Sequence, residues 1–237
     1  LNRDAALAST RIALAAAYPF LAHAASARGD DMLAVLAMFD IALILLLPAL
    51  AGARARAWAS LACIALALAW LARTAYAQLP LLLVPVLFVA LVGWGFARTL
   101  RPGRVPLVTR IAAALETGEG MQLEPEVARY THGLTRLWAI VLFVIAGWNL
   151  VLALLAVPRG LLAAFGIATP WPVGETLWSW CANVATYGLI GGLMIVEFAW
   201  RSRRFPGRYH GPLDFAKRMV ALGPGFWNRL FRDGSPR

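Results

Sequence analysis

The chain alternates long unbroken apolar runs with short polar breaks, rather than apolar with polar residues one by one. Unbroken runs are the signature of buried or membrane-crossing helices, and they exclude a transmembrane β-barrel, whose strands alternate. Six runs approach the ~20 residues that a helix needs to cross a bilayer. They are Ile12–Ala27, Leu33–Ala51, Ala57–Ala72, Leu79–Ala97, Leu137–Val157 and Leu177–Trp200, each bounded by arginine, glycine, proline or a polar stretch. The pattern therefore predicts an all-α polytopic membrane protein with six transmembrane helices forming a single membrane domain over residues 1–237.

Two polar segments interrupt or follow these runs. In the connector 98–136, Arg101-Pro102-Gly103-Arg104-Val105-Pro106 stops the fourth helix. Val108, Ile111, Ala112 and Leu115 then recur at helical spacing, which predicts a short amphipathic helix in the headgroup plane. Thr117-Gly118-Glu119-Gly120 breaks it, and Pro125 with Glu124 and Glu126 suits a new helix start that runs on into the fifth span. The tail 201–237 is basic and aromatic. Phe226, Trp227 and Phe231 beside Arg229 and Arg232 predict interfacial anchoring to anionic lipid. The loop between the fifth and sixth spans, Pro158–Thr176, is apolar but broken by Gly166, Pro170, Pro172 and Gly174, so it is expected to pack over the helices.

Composition agrees: 61% of the 237 residues are hydrophobic and 14% charged, against roughly 45–50% and about 25% in a soluble domain. The net charge of +10 changes meaning once it is sorted by loop. With both termini inside, 19 of the 22 basic residues fall in cytoplasmic segments, and only Arg28, Arg73 and Arg159 fall outside. That is the positive-inside bias of a membrane protein whose basic loops face the cytoplasm, not a footprint for nucleic acid. The first run, with Arg3 and Arg11 before it and small residues at Ala22–Ala27, also reads as a signal peptide. A tight hairpin through Asp30 and Asp31 is the simpler account.

Candidate chemistry is sparse. Cys63 and Cys181 lie in apolar runs without metal-ligand spacing, so no metal and no cofactor is expected. There is no GxSxG, HExxH or glycine-rich phosphate loop, and His210 and Asp214 are one residue too close for an acyltransferase His-x4-Asp motif. Polar residues inside the apolar runs are costly and mark candidate sites. Counted from the outer helix ends, His23 lies ~6 Å deep, Asn183 ~9 Å, Asp40 ~10 Å and Asn149 ~12 Å, with Arg73 at the outer end of the third run. These five predict a periplasm-facing polar pocket; the alternative is an Asp40–Arg73 ion pair with interhelical amide bonds. Glu197 and Arg201 are spaced for a local ion pair, and Gly188 with Gly192 for a close helix contact, within the chain or in a homo-oligomer.

Arg110, Pro125-Glu126, Tyr130-Thr131, Thr135 and Trp138, and later Asn183, Tyr187, Gly188 and Glu197 with Arg201, carry a resemblance. The chain resembles uncharacterised bacterial inner-membrane proteins encoded in aryl-polyene and xanthomonadin-type pigment-lipid clusters, some of them labelled ketosynthase. It departs from them at His132-Gly133, where the family tends to have a basic pair, and at Ala182-Asn183-Val184, where it tends to have Tyr-Asn-Gly. The resemblance implies a place in making or exporting an acylated, polyene-bearing lipid, with soluble fatty-acid-type enzymes or an exporter as partners. On it, Arg110, Tyr130, Thr131, Thr135 and Trp138 form a cytoplasmic docking surface of a non-catalytic scaffold. The alternatives are a membrane-embedded lipid-handling enzyme or carrier that uses the outer pocket, and an oligomeric small-solute channel or transporter.

Overall fold

A computed structural model describes residues 3–116, 123–174, 177–178, 180–181, 186–205, 217–218, 221–223 and 226. Most of these are helical. The elements are α1 (Arg3–Arg28), α2 (Asp31–Ala51), α3 (Ala55–Leu71), α4 (Leu79–Arg98), α5 (Leu107–Glu116), α6 (Pro125–Leu155), α7 (Leu161–Ala164) and α8 (Thr186–Arg204). Two-residue strands β1 (Ala156–Val157) and β2 (Val173–Gly174) pair in parallel, Ala156 opposite Val173.

Four helices are long and apolar enough to cross a membrane: Ala5–Ser26 within α1, α2, α4 and α6. This is a membrane protein, and its outer faces show why. Leu45 and Ile195 are each 71% exposed, and Leu87, Phe88 and Val144 are also exposed. A water-facing surface would not carry so many large apolar side chains on its longest helices. The six-span expectation is met at four of its positions. At the third, α3 has only 17 residues, about 26 Å of helix against a hydrocarbon core of ~30 Å. At the sixth, Leu177 and Trp178 are helical, and the longer described helix, Thr186–Arg204, ends on Arg201, Arg203 and Arg204. α1 starts earlier than its apolar run because Arg3 and Arg11 continue the helix. The helix predicted from Pro125 runs unbroken through the fifth span to Leu155.

The chain divides into two compact units. The first comprises residues 1–85 and 150–178. Its α1–α2 hairpin turns at Gly29, whose φ of +63° favours glycine. Asp30 then caps α2, accepting from the amides of Met32 at 2.8 Å and Leu33 at 3.1 Å. The apolar loop after α6 packs back on this end. Arg159 donates to the Ser26 carbonyl at 3.5 Å, and Phe165 stacks on Tyr76 with centroids 5.8 Å apart. The amide of Gln78 donates to Asp31 at 3.1 Å, tying α4's entry to the same turn.

The second unit comprises residues 86–149 and 179–237. Val89 of α4 packs with Leu142, Ile145 and Ala146 of α6, and Ile190 of α8 joins them. Gly93 allows the close approach, since a Cβ there would stand 3.1 Å from that of Leu142. Leu107 of α5 is buried against Phe226, with Phe96, Ile111 and Leu222 around them. The sequence placed Phe226 in the bilayer interface; the structure packs this ring on protein instead. The rest of the aromatic tail, including Trp227 and Phe231, lies outside the described residues.

Candidate functional site

The connector helix α5 poses a local problem: its first amides need acceptors, and the residue ahead of it, Pro106, has no capping side chain. Threonines elsewhere supply them. The Leu107 amide donates to the Thr99 hydroxyl at 3.0 Å, and Thr99 passes its own proton to the Phe96 carbonyl at 2.7 Å. The Val108 amide donates to Thr135 Oγ1 on α6 at 3.2 Å, while Thr135 donates to the Thr131 carbonyl at 2.8 Å. Thr131 donates to the Val127 carbonyl at 2.9 Å, so the 2.9 Å contact between Thr131 and Thr109 is a bond that Thr109 donates. Thr99, Thr131 and Thr135 thus each give a bond and take one.

This arrangement changes the reading of the docking residues. Thr131 and Thr135 are buried and spend their hydroxyls holding α5 on α6. A buried hydroxyl is not presented to a partner; these two are internal fasteners. Trp138 is half-buried, its ring tilted against Phe96 at 6.4 Å, and Arg110 is half-buried on α5.

Tyr130 leads to a different constellation. Its hydroxyl donates to Glu197 Oε1 on α8 at 3.1 Å. The same carboxylate oxygen pairs with Arg201 Nε at 3.0 Å, both side chains being about 13% exposed or less. The Arg201 guanidinium also lies over Phe198, 5.6 Å from its centroid, and Phe205 meets Tyr130 edge-on at 5.5 Å. Further out, Arg204 pairs with Glu126 at the start of α6. Between α5, α6 and α8 lies a small groove with a cavity of about 30 Å³. Val108, Ile111, Ala112, Leu115 and Leu134 give it an apolar floor, and Arg201 stands at its edge. The sequence named Tyr130, Glu197 and Arg201 separately but not the groove. The available signal was that the apolar stripe of α5 had no declared partner.

The five residues of the expected outer pocket are distributed otherwise. In the first unit Asp40 is buried, and its Oδ2 has no hydrogen-bond partner. His23 and Arg73 are exposed, and no bond or ion pair joins either to Asp40 among the described residues. In the second unit Asn149 is buried and exchanges bonds of 3.4–3.5 Å with Thr186, a partner the sequence reading missed. Asn183 lies outside the described residues. Gly188 and Gly192 make no close helix contact among the described residues, for a Cβ on either would meet nothing within 4 Å. No family model, no curated protein and no solved structure matches this chain.

Proposed function

We propose that the chain is a non-catalytic accessory protein of the bacterial inner membrane that serves the biosynthesis or export of an acylated lipid of polyene type. In this reading it crosses the membrane six times, with α3 and the segment ending in α8 as the third and sixth crossings, and both termini are cytoplasmic. The basic residues support that topology, since 19 of 22 then lie inside. The observation that carries the scaffold role is the construction of α5. A connector lying loosely on the headgroups needs no fixed register, whereas Thr99 and Thr135 fix this one to α4 and α6. Such a platform, with Arg110 and the exposed Arg129 and Arg136 on its helices, suits a soluble fatty-acid-type enzyme or an exporter. The resemblance of the connector and of the segment around Glu197 to the pigment-lipid family names that process.

A second reading draws support from Asp40. A buried carboxylate with an unpartnered oxygen in an apolar helix suits a lipid-handling enzyme or carrier.

Two measurements test the first reading. In a variant whose native cysteines are replaced, single cysteines at Gly103 and Gly166 should react with an impermeant maleimide from opposite sides of sealed inverted vesicles. Purification from native membranes should bring down a stoichiometric fatty-acid-type enzyme or exporter subunit, lost in Arg110→Glu. Labelling of both positions from one side overturns the topology, and the absence of such a partner from intact membranes overturns the scaffold.

A further inference from the structure

Asp40 is a buried group that nothing in the scaffold role uses. It stands nine residues past Asp31 in the 21 residues of α2, about 14 Å along the axis and nearly halfway down the helix. Only 6% of it is exposed, and its Oδ2 has no hydrogen-bond partner. Ala37, one turn earlier on the same face, is wholly buried. The carboxyl therefore lies on the packed side of an apolar, membrane-length helix.

The helices beside it bring no countercharge to that depth. α2 packs against α1 and α3. On α1, Arg11, His23 and Arg28 are exposed, and so are Arg54 and Arg56 at the start of α3, Cys63 further along it and Arg73 just past its end. Tyr18 stands level with Asp40, as many residues before Gly29 as Asp40 is after it, and a phenol is neutral at physiological pH. No ion pair reaches the carboxyl among the described residues. An ionised carboxylate without a cation or donors is too costly in an apolar interior, and such a group neutralises itself with a proton. A proton is also a ligand that needs no cavity.

We propose that Asp40 is a proton-binding site inside the membrane, a neutral carboxylic acid at rest that exchanges its proton when α1 or α3 shifts off α2. In the exchange the acid's O–H bond breaks, the proton passes to an entering water molecule, and the carboxylate oxygens accept hydrogen bonds from water. Closing the helices again requires the proton back, so protonation and the packing of the first unit are coupled. Intramembrane carboxyls with this environment serve proton relays. The proposal requires only that α2 crosses the membrane, and rests on neither functional reading above.

Infrared spectroscopy of the full chain in nanodiscs provides the test. At neutral pH the unaltered protein should show the C=O stretch of a protonated carboxylic acid, and Asp40→Asn, which keeps the shape, should lose it. The band should shift in deuterium oxide, because an exchanging acid takes up deuterium. A second measurement depends on no variant. Dicyclohexylcarbodiimide, which enters lipid and attacks protonated carboxyls, should modify the peptide that carries Asp40. That labelling should fall about tenfold per pH unit above its midpoint, as the ionised form takes over. Absence of the band, its survival in Asp40→Asn or its failure to shift in deuterium oxide overturns the proposal. Carbodiimide labelling confined to other carboxyls does so too.

Discussion

The two units treat polar side chains in opposite ways. In the second, the buried threonines and the buried asparagine described have partners: Thr99, Thr131 and Thr135 relay bonds between helices, and Asn149 meets Thr186. In the first, the one buried ionisable side chain described, Asp40, has an orphan oxygen, while Asp30, Asp31 and Ser26 at the first turn take bonds from Met32, Leu33, Gln78 and Arg159. The second unit uses polar groups to fix the register of its helices, as the fasteners of α5 show. The first packs α1 on α2, and Arg159–Ser26 and Gln78–Asp31 tie its loops to the turn between them. Satisfied polar pairs between helices give orientation more than raw stability, whereas an unsatisfied one costs free energy and marks a candidate for function.

Four substitutions test that contrast. The largest effect is expected for Glu197→Ala, which leaves Arg201 and Tyr130 without their shared acceptor. Breaking a pair this buried costs about 3 kcal/mol and should appear as a clear drop in the thermal midpoint in detergent. Thr135→Val comes next: it keeps the shape but strands the Val108 amide, for about 2 kcal/mol. Hydrogen exchange should show α5 opening before α6. Asp40→Leu has the opposite sign. Removing an unpaired buried polar group leaves the fold unchanged or more stable by about 1 kcal/mol, read by the same melt. A large destabilisation there would break the comparison, because Asp40 would then have a structural partner. Glu126→Gln should change stability least, by about 0.5 kcal/mol or less, because the pair with Arg204 is more than half exposed. Its effect should fade further at high salt.

The main helices were legible because their apolar runs are long. The turn at Asp30, the amphipathic face of α5 and the start of α6 at Pro125 were legible as local chemistry: a cap, a periodicity and a fixed φ. The site was legible in its members and not in its assembly. Depth along a helix can be counted from the sequence, but facing cannot, which is why His23 and Arg73 were grouped with Asp40 and are exposed instead. Thr131 and Thr135 were noticed as polar residues near the membrane edge, and the expected surface turned out to be an inner seam. The missing clue was Pro106: α5 begins without a side-chain cap of its own, and it borrows acceptors from Thr99 and Thr135.

The unbroken course of α6 has a mechanical consequence. Its 31 residues make a rod of about 46 Å, against a hydrocarbon core of ~30 Å, so roughly a third of it extends past the apolar layer. No proline or bulge interrupts the rod after its first residue, so it has no hinge to absorb a change in tilt. When the bilayer thins or thickens and the buried part of the rod leans to match, the overhanging part must swing with it, carrying the threonine seam along. In the topology proposed above, bilayer thickness would thereby set the tilt of the connector.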